Sequence, residues 1–190
     1  METYPTEASG EDPVAIAQWL YRKYSGEFQR DLPRVSYPLQ DYPAVVSLTT
    51  GRPASASASL PDHAPHLAND GIRNVPDSYW AYDTLAEKKA ASVQENIWWM
   101  VDFQQPTQLG RVNVVCYYGD FGFYSFLVEG SVDGKDWLLL SDQRHNIEQS
   151  TIKGYESAFA PRSLRYLRVR YAHDSANEGF RLIEVMAYKK

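Results

Sequence analysis

Few side chains in this 190-residue chain are placed to do covalent chemistry, and those few fall in polar stretches. Cleaving a glycosidic bond takes two carboxyl groups that face each other across the bond. Asp83, Asp120, Asp174 and Glu178 are the acids whose loop positions would let them gather at one end of a domain. None is coupled by motif to a histidine. The four histidines, His63, His66, His145 and His173, also fall in predicted loops. His63 and His66 have the spacing of two metal ligands, but a zinc site needs at least a third protein ligand. Neither the Gly-x-Ser-x-Gly elbow nor His-Glu-x-x-His occurs. These residue types describe a surface that binds rather than one that turns over a substrate.

The remaining reactive side chain is Cys116, the only cysteine, so no intrachain disulfide and no multi-cysteine zinc site can form. It shares a face with Val112 and Val114, which predicts a buried, inert thiol. A net charge of −5 offers no broad basic field for nucleic acid or an anionic membrane. No apolar run is long enough to span a bilayer as a helix, and the acidic, polar start does not read as a signal peptide. Aromatic residues make up 14% of the chain, a surplus that suits both a sandwich core and a binding face.

The elements that must position these residues are mostly strands. From Tyr124 to Trp137 the chain alternates: Tyr124, Phe126, Val128, Gly130 and Val132 fall on one face, and Ser125, Leu127, Glu129 and Ser131 on the other. This is the pattern of a half-buried strand. Asp133-Gly134 predicts a two-residue hairpin turn into a return strand at Trp137–Leu140. Further short strands are predicted at Val45–Leu48, Trp98–Phe103, Arg111–Tyr118, Tyr155–Phe159, Leu164–Tyr171 and Leu182–Tyr188, and the alternating Ala54–Ser59 reads either as a low-complexity stretch or as a thin edge strand. Leu60–Asn96 reads as one long irregular segment. Many short strands and no helix after Pro43 predict an all-β sandwich or barrel.

Ahead of this domain, residues 1–43 read as an extension. Asp12-Pro13 is a helix start, and Val14, Ala17, Tyr21, Tyr24 and Phe28 form an apolar stripe, which predicts one amphipathic helix near 13–25. The stripe either docks on the neighbouring fold or contacts a partner protein or domain. Three X-Pro pairs between Leu32 and Pro43 then predict a linker, with the compact domain running from about 44 to 190.

Six motifs in order over this domain give it a family resemblance. They are Gly51-Arg52-Pro53-Ala54-Ser55-Ala56-Ser57; Leu67-Ala68-Asn69-Asp70-Gly71 followed by Trp80; Trp98-Trp99-Met100-Val101-Asp102-Phe103; Val128 to Trp137; Leu164-Arg165-Tyr166-Leu167-Arg168-Val169; and Ile183-Glu184-Val185-Met186-Ala187-Tyr188. With them the chain resembles the discoidin domains, or coagulation factor V/VIII type C domains, which overlap with galactose-binding-like carbohydrate-binding modules. The resemblance implies a jelly-roll sandwich of about eight strands, without catalytic activity. Such domains are appended to secreted or cell-surface proteins and bind glycans, phospholipid or protein through loops at one end.

The resemblance also implies a structural calcium. Its ligands would be the side chains of Asp70, Ser78 and Glu184 and the carbonyls of Leu67, Ile72 and Ile183. Calcium takes six to eight oxygens and accepts carbonyls among them. The Asp70-to-Trp80 spacing, with Val75-Pro76 inside it, is longer than the family's usual one. Without calcium, Asp70 would form a turn and Glu184 would pair with an arginine such as Arg168.

The sugar site that the resemblance implies lies on three loops. Tyr82, Phe121, Phe123 and Tyr124 would supply an aromatic platform, and Asp83, Asp120, Asn177 and Glu178 a polar edge. Arg144, His145 and Asn146 would approach the same end. Galactose binders of this kind present a His–Arg–Asn set, whose arginine and histidine no motif places here. The expected function is a glycan-binding module of a larger carbohydrate-active or cell-surface protein, outside the cell. The alternative is a protein–protein assembly module with no sugar ligand. A phospholipid reading would use Phe121-Gly122-Phe123 as a spike, but Asp120 adjoins it.

Overall fold

The computed structural model describes residues 47–75, 78–83, 97–176 and 179–189, with only the backbone at Asp83. The expected helix near 13–25, the linker after it and the start of the Val45–Leu48 strand lie outside the described residues.

Among the described residues there are seven strands: β1 (Ala54–Ala56), β2 (Trp80–Asp83), β3 (Trp98–Cys116), β4 (Tyr124–Ser131), β5 (Leu138–Asp142), β6 (Tyr155–Asp174) and β7 (Gly179–Tyr188). A single 3-10 turn occupies Pro65–Ala68. Every ladder is antiparallel. The order across the sheet is β2-β7-β3-β6-β4-β5, with β1 beside β3.

Two long strands turn this sheet into a sandwich. The first part of β3, Trp98–Asp102, pairs with Tyr166–Arg170 of β6 and with β1. Its last part, Arg111–Cys116, pairs with β7 and with the start of β6. The register shifts between Asp102 and Thr107, where Gln104 takes a φ of 67° and Pro106 has no N–H to offer the ladder. The strands expected as separate, Trp98–Phe103 with Arg111–Tyr118 and Tyr155–Phe159 with Leu164–Tyr171, are therefore halves of β3 and β6. Period-two alternation breaks at the bends, so the sequence shows two strands where the backbone runs through. The described part of Leu60–Asn96 is not all irregular either, for Trp80–Asp83 forms β2 against β7.

One apolar core fills the interior, with Trp80, Trp99, Phe103, Phe126, Leu167, Phe180 and Leu182 all fully buried. Trp80 meets Phe180 edge to face at 5.8 Å, and Tyr171 lies 5.1 Å from the same ring. Cys116 is buried in this core beside Val112 and Val114, and burial pushes its thiol pKa well up.

The β4–β5 hairpin forms, with two departures from the alternation. Its connection is longer than two residues, because Gly130 pairs with Leu138. The Asp133 carboxylate accepts from the N–H groups of Lys135 and Asp136, and Gly134 takes a φ of 77°. Val132 thus falls in the loop and is exposed. The second departure is that β4 is buried on both faces rather than one. Glu129 faces outward, yet Arg168 and Arg170 both pair with it, at 2.7 and 3.2 Å, and Trp137 stacks on Arg168 at 3.8 Å. Arg168 is therefore engaged by Glu129, and the expected Glu184–Arg168 alternative does not form.

Candidate functional site

Strand ends and the described loops beyond them build one end of the sandwich. β2 ends at Asp83 opposite Gly179, where β7 begins, and Tyr124 at the start of β4 pairs with Asp174 at the end of β6. The 117–123 loop is fixed between its neighbours. Ser175 Oγ accepts from the Phe123 N–H at 2.8 Å, the Ser175 N–H donates to the Phe123 carbonyl at 3.1 Å, and the Ser150 N–H donates to the Gly122 carbonyl at 2.8 Å. Asn146 Nδ2 donates to the Tyr124 carbonyl, which ties the 144–154 loop to the same place.

On this base Phe121 stands out, 79% exposed, with a φ of 60° that a bulky residue rarely adopts. Asp120, next to it, accepts from the Gly122 N–H at 3.1 Å and forms an ion pair with Arg181 of β7 at 3.6 Å. Phe123 is half-buried, its ring 5.9 Å from that of His173. The end thus offers an exposed aromatic ring, a half-exposed one, a charged donor–acceptor pair and an imidazole. Apolar faces and hydroxyl edges could both be met here.

Tyr124 and Tyr82 do not belong to that surface. Tyr124 is fully buried and Tyr82 nearly so, both in the main core. Burial first, and then the nearby Asp174 charge, pushes the Tyr124 phenol up. The pairing that aligns strand starts with loops drew these rings inward. Arg144 is held by its own neighbour Asp142 in a two-pronged ion pair. The Asp83 side chain, Asn177 and Glu178 lie outside the described residues. Arg181 and Ser175, which complete the site, were not singled out from the sequence. Arg181 sits in an alternating strand, and its approach to Asp120 depends on β7 lying beside the end of β3.

A second cluster lies beside β7. A bulge makes it: Val115 pairs with Glu184 and Cys116 with Leu182, which leaves Ile183 as the extra residue. Leu182 and Val185 face the main core, and Ile183 turns to a separate cluster with Val115 and Met186. Glu184 then meets the Asp70-Gly71 turn. Glu184 Oε2 accepts from the Gly71 N–H at 3.2 Å, where a φ of 88° suits glycine. Asp70 Oδ1 accepts from the Ile72 N–H at 2.7 Å, and Ser78 Oγ donates to Asp70 Oδ2 at 3.0 Å. Asn69, buried, clamps the turn to the preceding motif by donating to the carbonyls of Thr49 and Arg52.

Glu184 is about 1% exposed, and its Oε1 accepts no hydrogen bond among the described residues. Burial, then the Asp70 charge, pushes its pKa up to about 8. Two carboxyl groups and a hydroxyl therefore converge at this turn, and one oxygen of the Glu184 carboxyl is left without a hydrogen bond among the described residues. Such a donor set fits a cation that binds oxygen. Among the described residues no three His, Cys, Asp or Glu side chains gather to hold a metal, so a cation here would draw on hydroxyl and carbonyl oxygens as well.

The sequence model of the F5/F8 type C family described as "NedA-like, galactose-binding domain" matches residues 67–169, more than half of the chain. The chain belongs to the F5/8 type C family. Solved structures agree on the fold of this F5/8 type C domain. It is similar to the CBM32 of AlyQ in complex with 4,5-unsaturated mannuronic acid, with a TM-score of 0.56 and 16% identity over 73% of this chain and 95% of that one. It is similar to a Streptococcus pneumoniae fucose binding module, with a TM-score of 0.59 and 16% identity over 76% of this chain and 96% of that one. It is also similar to part of the family 89 glycoside hydrolase of Clostridium perfringens, with a TM-score of 0.61 and 17% identity over 76% of this chain and 15% of that one. Among curated proteins, BTB/POZ domain-containing protein 9 of Rattus norvegicus and of Mus musculus is 29% identical over 79 residues. That match spans 42% of this chain and only 12% of each relative. Among the described residues no helix is long and apolar enough to cross a membrane.

Proposed function

We propose that this F5/8 type C domain is a non-catalytic carbohydrate-binding module that takes glycans at the Phe121 end of the sandwich. The observation that carries the reading is the exposed Phe121 ring, 79% exposed, beside the Asp120–Arg181 pair. A solvent-facing phenylalanine in a sparsely populated backbone conformation is costly unless something uses it. An aromatic ring packs on the C–H face of a sugar, while a carboxylate and a guanidinium side by side accept from and donate to neighbouring hydroxyls. The names of the similar structures, a CBM32 with a mannuronic acid and a fucose binding module, support the same ligand class.

Binding needs no bond to be broken, so the geometry asks only for a rigid platform. The hydrogen bonds among Phe123, Ser175, Gly122 and Ser150 supply it. Calcium belongs to the proposal. Asp70, Ser78 and Glu184, with carbonyls of Leu67, Ile72 and Ile183, would hold it, and it would supply a positive charge that pins the Asp70-Gly71 turn to β7. That the domain serves a larger, extracellular or cell-surface, carbohydrate-active protein is part of the proposal too. The similar stretch within a family 89 glycoside hydrolase supports it.

The name of the curated relatives favours a second reading, because it sets a BTB/POZ domain in the same protein as a stretch like this one. In that reading the domain is a protein-assembly module without a sugar ligand. A glycan array probed with the whole chain, with calcium and with chelator, separates the two. Binding to a coherent sugar class that is lost in Phe121→Ala supports the module. A blank array under both conditions favours assembly.

A further inference from the structure

The row of polar and aromatic groups does not stop at the Asp120–Arg181 pair. The Arg181 guanidinium carbon lies 5.4 Å from the centroid of the Tyr117 ring. Tyr117 lies 5.5 Å from Tyr79, tilted by 59°, and Tyr79 stacks on His63 at 4.2 Å and 17°. Arg181, Tyr117, Tyr79 and His63 are all partly exposed. They form a continuous strip that starts at the Asp120–Arg181 pair and crosses β7 near its start, between the end of β3 and the start of β2.

The strip is anchored at each step. The Tyr117 N–H donates to the Arg181 carbonyl at 3.1 Å, and His63 Nδ1 lies 3.0 Å from the Tyr79 carbonyl. Beneath it lie the buried Val115, Ile183 and Met186. Covering those three needs only apolar area. The cover is instead built from tyrosines, Tyr79 and Tyr117 among them, whose rings carry a phenol at the edge, and through Arg181 it runs into the site proposed for sugar.

We propose that His63, Tyr79 and Tyr117 form a second sugar subsite beside the Asp120–Arg181 pair, so that the preferred ligand is a chain of two or more sugar units rather than a single one. The inference rests on the sugar-binding reading of the Phe121 end. Further units of a chain bound there continue over Arg181 onto the strip. Their C–H groups then meet the exposed parts of the strip's rings, and their hydroxyls meet the phenol, imidazole and guanidinium edges. A lone sugar at Phe121 leaves the strip untouched, so the two parts contribute separately.

Calorimetric titration with β-1,4-linked galacto-oligosaccharides and with oligogalacturonides, each from monomer to tetramer, tests this on the whole chain in calcium buffer. The expected result is an affinity that rises about tenfold or more from monomer to dimer or trimer in one of the series, a difference of roughly 1.4 kcal/mol. Tyr79→Ala should remove that gain and leave monomer binding intact, and Tyr79→Phe should keep most of it. Because Tyr79 follows Ser78, His63→Ala serves as the second variant, and melting temperatures of both confirm folding. Affinity independent of length, equal losses for monomer and trimer in Tyr79→Ala, or no binding in either series would overturn the subsite. Binding that falls in Phe121→Ala but ignores Tyr79→Ala and His63→Ala defeats the subsite alone. A blank array together with no response to Phe121→Ala defeats the sugar-binding reading itself.

Discussion

Replacing Glu184 by glutamine should make the metal-free domain more stable at neutral pH, even though it alters a buried residue. The Glu184 carboxyl has a folded-state pKa of about 8 against an ordinary 4.5, raised by burial and then by Asp70. A raised carboxyl pKa means that the folded state holds a proton which the unfolded chain has released. Stability from this group is therefore complete below about pH 4.5 and is lost as pH rises toward 8. Each pH unit in that window costs about 1.4 kcal/mol, so at pH 7 the metal-free protein has lost roughly 3 kcal/mol. For a domain of this size that amounts to a melting temperature lower by about 6–12 °C. Glu184→Gln keeps the shape, and its amide bears no charge to lose. In chelator, its melting temperature should stay flat where the wild type falls, and the two should diverge between pH 5 and 8. Calcium should reverse the order. At a hundred times its Kd it would add about 2.7 kcal/mol to the wild type and little to the variant. Differential scanning fluorimetry across pH, with chelator or calcium, reads all four curves. A wild-type curve parallel to that of Glu184→Gln in chelator would refute the buried-charge reasoning. Parallel responses of the two proteins to calcium would refute Glu184 as a ligand.

Phe121→Ala should abolish binding to the best array hit while leaving the melting temperature within about 1–2 °C, because an exposed ring contributes little to the core; a loss of binding that tracks a loss of folding would contradict this. Tyr124→Phe should be neutral or slightly stabilising by denaturant titration, since the buried Tyr124 hydroxyl makes no hydrogen bond among the described residues. Tyr124→Ala, by contrast, should cost about 3–5 kcal/mol by opening a cavity in the core. Cys116 should resist a thiol-labelling reagent in the native protein and react at once in denaturant, because it is fully buried with its pKa pushed up; rapid native labelling would show that this end of β3 opens.

What the sequence determined by itself was the part governed by short spacing. Alternation set β4, and the Asp133-Gly134 pair placed the turn to within a few residues. The apolar face shared by Val112, Val114 and Cys116 predicted the buried thiol, because side-chain direction in a strand follows from position alone. The ordered motifs identified the family for the same reason: each is a local run whose residues meet the same backbone need. Tertiary structure decided which exposed-looking groups are exposed. Tyr82 and Tyr124 look like platform residues beside a loop, and the pairing of β2 with β7 and of β4 with β6 buries them instead. Glu129 reads as a solvated outer-face acid, until Arg168, Arg170 and Trp137 close over it from β6 and the loop before β5. Arg181 becomes the partner of Asp120 across 61 positions of sequence only because β7 lies beside the end of β3. Glu184 meets Asp70 only because a bulge inserts Ile183 and turns the next side chain outward. A register shift of one residue changes the face that a side chain occupies, and no local pattern encodes where that shift will fall.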